Sequence, residues 1–127
     1  MGADTSAQGI WLGNGWLMRV LLDDNIHQNF LKQIVGHELT HARQMGWAER
    51  ENGDLISAAE GRGFEVLITA DKQMQYQQTI SSRRLSIVVL DALFIRWDHI
   101  VPLVPQVQAL LDEGILPGSF IRVSHKA

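Results

Sequence analysis

Two sets of residues have types and spacings suited to chemistry. The first is His37-Glu38-Leu39-Thr40-His41, an H-E-x-x-H pattern. On a helix its histidines stand at i and i+4 on one face. Both imidazoles then reach one Zn²⁺, and Glu38 serves as general base. The second set is acidic. Asp23 and Asp24 follow the run MRVLL, Asp54 follows Asn52-Gly53, Asp71 follows FEVLITA, and Asp91 follows SIVVL. Carboxylates gathered at one place repel one another unless a cation neutralises them. Hard cations such as Mg²⁺ or Mn²⁺ prefer oxygen ligands of this kind. Such ions activate water and stabilise the leaving oxygen in phosphodiester cleavage.

Apolar patterning outlines the strands and helices that carry these residues. MRVLL, FEVLIT and LSIVVL are short and continuously apolar, as strands buried on both faces of a parallel sheet are. Helical patterns lie between them. NIHQNFLKQIV places Ile26, Phe30, Ile34 and Val35 on one face. NGDLISAAEGRG opens on a cap at Asn52 or Gly53 and stops at Gly61 or Gly63. The periodicity near the end predicts a helix from about Pro105 to Glu113, with prolines before or in its first turn. SFIRV reads as a last strand. Alternating strands and helices predict an α/β fold with a mainly parallel central sheet covered on both faces. In open sheets of this kind, ligands bind beyond the carboxyl ends of the strands, near the point where strand order reverses. The aspartates that follow strands stand there, and Asp54 in a helix's first turn points to the same edge. Taken singly, each has a plainer explanation: aspartate after a strand is a common turn former, and Asp54 favours a helix dipole. Their convergence is what favours a site. Asp91 has the weakest claim, because DALFIRWDH shows no chemical logic.

The chain of 127 residues suits one domain, and 46% hydrophobic with 20% charged residues suits an ordinary globular protein. A net charge of −3 gives no dominant basic surface, so a nucleic-acid partner needs a local site and metal ions. The absence of cysteine excludes disulfides, thiolate metal sites and cysteine nucleophiles, and fits a cytoplasmic protein. LSIVVLDALFI is too short to span a bilayer and carries Asp91, so no membrane partner is expected. Residues 1–17 lack the basic start of a signal peptide and read as an extension or tag. Met18 then opens the domain, which runs over 18–127.

The acidic set lies within a wider likeness. RVLLDDNI, GHELTHARQMGWAERENGDLISAAEGRGFEVLITADKQM and RRLSIVVL, within about Met18 to Val123, resemble the PIN-like nucleases, in particular a compact bacterial subfamily related to VapC-type toxins. The matching pieces are Asp23-Asp24-Asn25, Gly36-His37, Gly46-Trp47, Asp54 and Thr69-Ala70-Asp71. The resemblance implies a three-layer α/β/α fold and a Mg²⁺- or Mn²⁺-dependent endoribonuclease, the toxin of a toxin–antitoxin pair. It implies Asp23, Asp54 and Asp71 as catalytic metal-binding acids, with Asp24 in the second acidic position. RNA is the implied substrate and a cognate antitoxin protein the implied partner. Related toxins are often dimers, so a homodimer is implied as well. One departure stands out. Related sequences often carry T-x-D-x-D, and here Gln73 replaces the second acid. That substitution motivates an alternative, a catalytically weak or inactive PIN-like binding module.

The zinc alternative implies an H-E-x-x-H metallopeptidase. IVGHELTH looks like a thermolysin-type helix, and Glu60, nineteen residues after His41, stands near where such enzymes place a third ligand. Three points oppose it. Gly36 inside a helix costs roughly 1 kcal/mol relative to alanine. Fewer than forty residues precede His37, too few for the upstream sheet such a site needs. Read as a strand, HELTHA alternates and completes the β-α-β order, leaving His37 and His41 roughly 13 Å apart, too far to share one ion.

The remaining standouts read more simply. Trp47 is expected to anchor a loop on the sheet. Tyr76 can stack on RNA but suits a surface helix. Arg83 and Arg84 can meet phosphates but suit a solvated strand start. No Gly-rich phosphate loop and no serine nucleophile elbow occurs.

Overall fold

The computed structural model describes residues 10–11, 16–74 and 84–125. Tyr76 and Arg83 therefore lie outside the described residues. Within 1–17, two short strands, β1 (Ile10–Trp11) and β2 (Trp16–Leu17), pair antiparallel.

The expected strands form where the apolar runs stand: β3 (Arg19–Leu22), β4 (Glu38–His41), then, after helix α1 (Asn52–Gly61), β5 (Val66–Thr69) and β6 (Ser86–Asp91). Helices α2 (Trp97–Ile100) and α3 (Val104–Glu113) lead to β7 (Phe120–Ser124). The sheet is five-stranded and parallel throughout, in the order β4-β3-β5-β6-β7. Strand order reverses between β3 and β5: the chain leaves β3 for one edge, then returns to build toward the other.

Side chains alternate across each strand, which splits the core into two layers. Val20 and Leu22 of β3, Val66 and Ile68 of β5, and Val88 and Leu90 of β6 face Ile26, Phe30, Ile100, Leu103, Val107 and Leu111. Leu21, Leu67, Ile87 and Val89 face the other way, against Leu55, Ile56 and Ala59 of α1 with Ala42, Trp47 and Phe64. The result is a three-layer α/β/α arrangement. Fully burying each such aliphatic or aromatic side chain stabilises by about 1.5–3 kcal/mol. All four residues of β5 are buried, which explains why that run shows no polar alternation.

Two local departures from the expected elements have physical causes. The segment after β3 forms a 3-10 turn over Gln28–Lys32 rather than an α-helix; the His27 imidazole caps it by accepting from the Asn29 N–H at 3.0 Å, and Phe30 is its buried anchor. Near the end, helix begins earlier than Pro105. Pro102 sits in a 3-10 turn over Val101–Leu103 and Pro105 in the first turn of α3, where neither ring removes a needed hydrogen bond. Gly36 adopts φ +80°, a left-handed conformation that turns the chain into β4 and disfavours a side chain.

Candidate functional site

The H-E-x-x-H segment is a strand, and its polar atoms are used by the fold. Two bonds define each imidazole. The His37 Nδ1 accepts from the Met18 N–H at 3.0 Å, so its Nε2–H donates to Asp112 Oδ1 at 2.8 Å. The His41 Nδ1 accepts from the Arg43 N–H at 3.1 Å, so its Nε2–H donates to the Ile26 carbonyl at 2.7 Å. Neither ring keeps a lone pair for a metal. Glu38 pairs with Arg19 at 3.2 Å, and Glu60 accepts the Arg84 and Leu85 N–H groups at 2.6 and 3.0 Å. The segment forms the strand that the sequence favours and not the alternative zinc helix: the glycine break and the sheet register prevail over a helical spacing.

Of the acidic residues, Asp23 and Asp71 come together where strand order reverses, with Asp24 beside Asp23. Asp23 follows β3, and its N–H extends the sheet by donating to the Ile68 carbonyl at 2.9 Å. Thr69, fully buried at the end of β5, donates its hydroxyl to Asp23 Oδ2 at 2.7 Å. The Thr69 hydroxyl oxygen in turn accepts the Asp71 N–H at 3.1 Å. Asn25 bridges the strands from the other side, its Oδ1 accepting the Ala70 N–H at 3.1 Å and its Nδ2 donating to Thr69 at 3.4 Å. Asn52, the first residue of α1, does not cap that helix; its amide donates to Asp71 Oδ2 at 2.9 Å. Gln73, at the position of the missing second acid, donates its N–H to Asp71 Oδ1 at 2.9 Å.

Electrostatics match this crowding. Burial holds the Asp23 carboxyl above its ordinary value; bonds from Thr69 and the Asp24 N–H oppose the rise, and the charges of Asp71 and Asp24 add to it. Asp24 itself turns to Arg43, with Nε to Oδ1 at 2.9 Å. Asp54 is more distant in kind. Its side chain is 63% exposed, and it pairs at 2.7 Å with Arg50, which stands just before the N-cap of α1. There it lines an open depression of about 560 Å³ with Gly46, Glu49, Arg50 and Glu51.

The carboxylate oxygens of Asp23 and Asp71 suit a hard cation, while the Thr69 hydroxyl, which donates to Asp23 and accepts from both Asp71 N–H and Asn25 Nδ2, positions them rather than ligating. Among the described residues, each oxygen of the two carboxylates accepts one hydrogen bond. A carboxylate has about four lone-pair sites, so acceptor capacity remains. A cation would also relieve the partly buried Asp23 charge. Mg²⁺ commonly takes one or two carboxylates and keeps several waters. Among the described residues, however, no three His, Asp or Glu side chains gather closely enough to form a metal group by themselves. The arrangement is a two-carboxylate corner with Asp24 beside it, held by Arg43, while Asp54 is held by Arg50 on the exposed start of α1.

Asn25, Thr69 and Asn52 are the site residues that a search for acids alone passes over. Their signal is positional: Asn25 directly follows the acidic pair, and Thr69 precedes Asp71 by two. Trp47 is the expected loop anchor, buried and edge-on to Phe64 at 6.3 Å between ring centroids. Asp91 lies between Lys72, at 3.2 Å, and the guanidinium of Arg122. Among the described residues, no helix is long and apolar enough to cross a membrane. No family model matches the chain, and neither a curated protein nor a solved structure does.

Proposed function

We propose that the chain is a Mg²⁺- or Mn²⁺-dependent endoribonuclease acting in the cytoplasm. One observation carries it: Asp23 and Asp71 meet beside the fully buried Thr69, with Asp23 held above its ordinary value by burial. Asp23 and Asp71 would hold the ion, and Asp24 and Asp54 would be its outer acids. A divalent ion there supplies Lewis acidity toward water and the phosphodiester. The protein's own part is positional. Thr69 fixes the Asp23 carboxylate, Asn52 and the Gln73 N–H fix that of Asp71, and Asn25 ties the two strand ends together. Preset ligands of this kind need no rearrangement during reaction. The PIN-like resemblance of the segments around these acids supports the further parts of the proposal: a toxin, an antitoxin partner and a homodimer.

The Asp23→Asn/Asp71→Asn double variant should abolish Mn²⁺-dependent cleavage of single-stranded RNA, measured on gels against wild type. Undiminished cleavage by that variant would refute the assignment. A second reading, a non-catalytic binding module, is favoured by the arginine pairing of Asp24 and Asp54 and by Gln73. Calorimetric titration separates the two: no Mn²⁺ uptake at millimolar metal favours the module.

A further inference from the structure

At the other end of the same carboxyl edge, β6 and β7 build a corner of different character. Asp91, the last residue of β6, has a side chain only 15% exposed, and it accepts two cations. Lys72 reaches it from the loop after β5 at 3.2 Å, and Arg122 reaches it from β7 through Nε at 2.7 Å and through a terminal nitrogen. The two cations remain largely exposed, 48% for Lys72 and 60% for Arg122. One carboxylate therefore holds two positive groups toward solvent, and one positive charge is left over. Lys72 directly follows Asp71, so this corner adjoins the proposed metal site in the chain.

Beyond Asp91 the chain exposes Leu93, Phe94 and Ile95. Phe94 is 54% exposed; its ring meets His99 edge-on at 5.2 Å centroid distance, and Arg96 lies 5.8 Å from its centroid. Three residues of chain span at most about 10 Å, so Phe94 stays close to the Asp91 cations. Arg96 is balanced by Asp98 at 2.8 Å. Within this ion-paired cluster Lys72, Arg96 and Arg122 outnumber Asp91 and Asp98 by one charge. Cations beside an exposed aromatic face suit a polyanion with unpaired bases, because phosphates take the charge and a base takes the ring. An apolar protein partner would make use of the exposed side chains but would leave the surplus charge unanswered.

We infer that Lys72 and Arg122, both anchored on Asp91, form a backbone-phosphate subsite for single-stranded RNA, with Phe94 as the stacking platform for a neighbouring base. The inference rests on the ribonuclease reading and names how that site holds its substrate. Asp91 is a positioning residue in this subsite, since it acts through the two cations.

The test is fluorescence anisotropy of a labelled single-stranded RNA oligonucleotide in EDTA, where binding is read without cleavage, over a series of salt concentrations. Lys72→Gln/Arg122→Gln should weaken binding about tenfold and flatten the salt dependence by a slope of about 1. The charge-preserving Lys72→Arg/Arg122→Lys variant should retain both, which separates charge from folding. Phe94→Ala should weaken binding roughly tenfold with the slope unchanged, because stacking releases no counterions. Wild-type binding with a charge-removed variant of equal affinity and slope overturns the subsite while leaving the ribonuclease reading standing. Wild-type protein that neither binds nor cleaves the RNA overturns both.

Discussion

The β4 strand and the β3–β5 corner both carry residues that can ligate metals, and the fold uses them in opposite ways. In β4, His41 is 1% exposed and both its ring nitrogens are committed, one to the Arg43 N–H and one to the Ile26 carbonyl. In the corner, among the described residues, each oxygen of Asp23 and Asp71 accepts a single bond, so capacity remains, and burial of Asp23 leaves a charge without a counter-cation among its bonding partners. The difference lies in lone pairs rather than in residue type. An imidazole has one acceptor nitrogen and a single backbone N–H uses it up, whereas a carboxylate can be oriented by the fold and still bind.

His41→Ala should have the largest effect on β4. Truncation opens a cavity and leaves the Ile26 carbonyl and the Arg43 N–H without their partner, so we expect a loss of about 3 kcal/mol. Urea denaturation measures it. Mn²⁺ binding by the folded variant should stay within about twofold of wild type, an allowance smaller than a single surface ion pair. A variant of undiminished stability that had lost bound metal would exchange the roles of β4 and the acid corner.

Much of this architecture was legible in the sequence, for reasons that particular residues show. VLIT and SIVVL are buried on both faces, so their continuous apolarity announces parallel strands. Gly36 announces the break before β4, since φ +80° favours glycine. The acid corner was legible because Asp23 and Asp71 each follow a strand, and parallel strands deliver their carboxyl ends to one edge. Asp54 shows the limit of that inference. A first-turn position brings it toward the edge, but its orientation is settled by Arg50, four residues earlier, whose partner a sequence does not reveal. Asp91 shows the other limit. Its neighbours in sequence explain nothing, because Lys72 and Arg122 become its neighbours only through the order β5-β6-β7. The 3-10 turn at Gln28–Lys32 escaped a periodicity argument because so short a segment is set by its cap and by one buried ring.

A smaller effect sharpens the contrast between the two carboxylates at this edge. Asp23 lies above its ordinary value because burial dominates, while Asp91 lies below the ordinary 3.8 because its bond to Arg122 outweighs burial. A carboxylate with a depressed native value stabilises the fold above its unfolded value, and that contribution fades as pH falls through the lower native value. Asp91→Asn should therefore cost roughly 1 kcal/mol at neutral pH, the scale of a partly screened charged hydrogen bond. The gap between variant and wild type should close as pH falls below 3.8. Paired urea melts at neutral and acidic pH would show it; a gap of constant size would mean that the side chain's shape, and not its charge, supports β6.

The smallest expected effect concerns Asp54, the acid that stands between the two regimes. It is presented near the edge by the first turn of α1, whose neighbouring Asn52 already reaches Asp71, yet Arg50 holds it at 2.7 Å. An exposed ion pair is worth about 0.2–1 kcal/mol, so the arginine competes only weakly with a metal. Removing the arginine charge with Arg50→Gln should return that energy to metal binding. Mn²⁺ affinity in calorimetry should then rise about twofold, a change of the same size as the pair it removes. The rise should disappear when Asp54→Asn is added, because the gain requires the freed carboxylate. If Arg50→Gln alone leaves the affinity unchanged, Asp54 does not reach the ion and the corner binds through Asp23 and Asp71 only. The arginine would then be a partner of the helix rather than a competitor for the site.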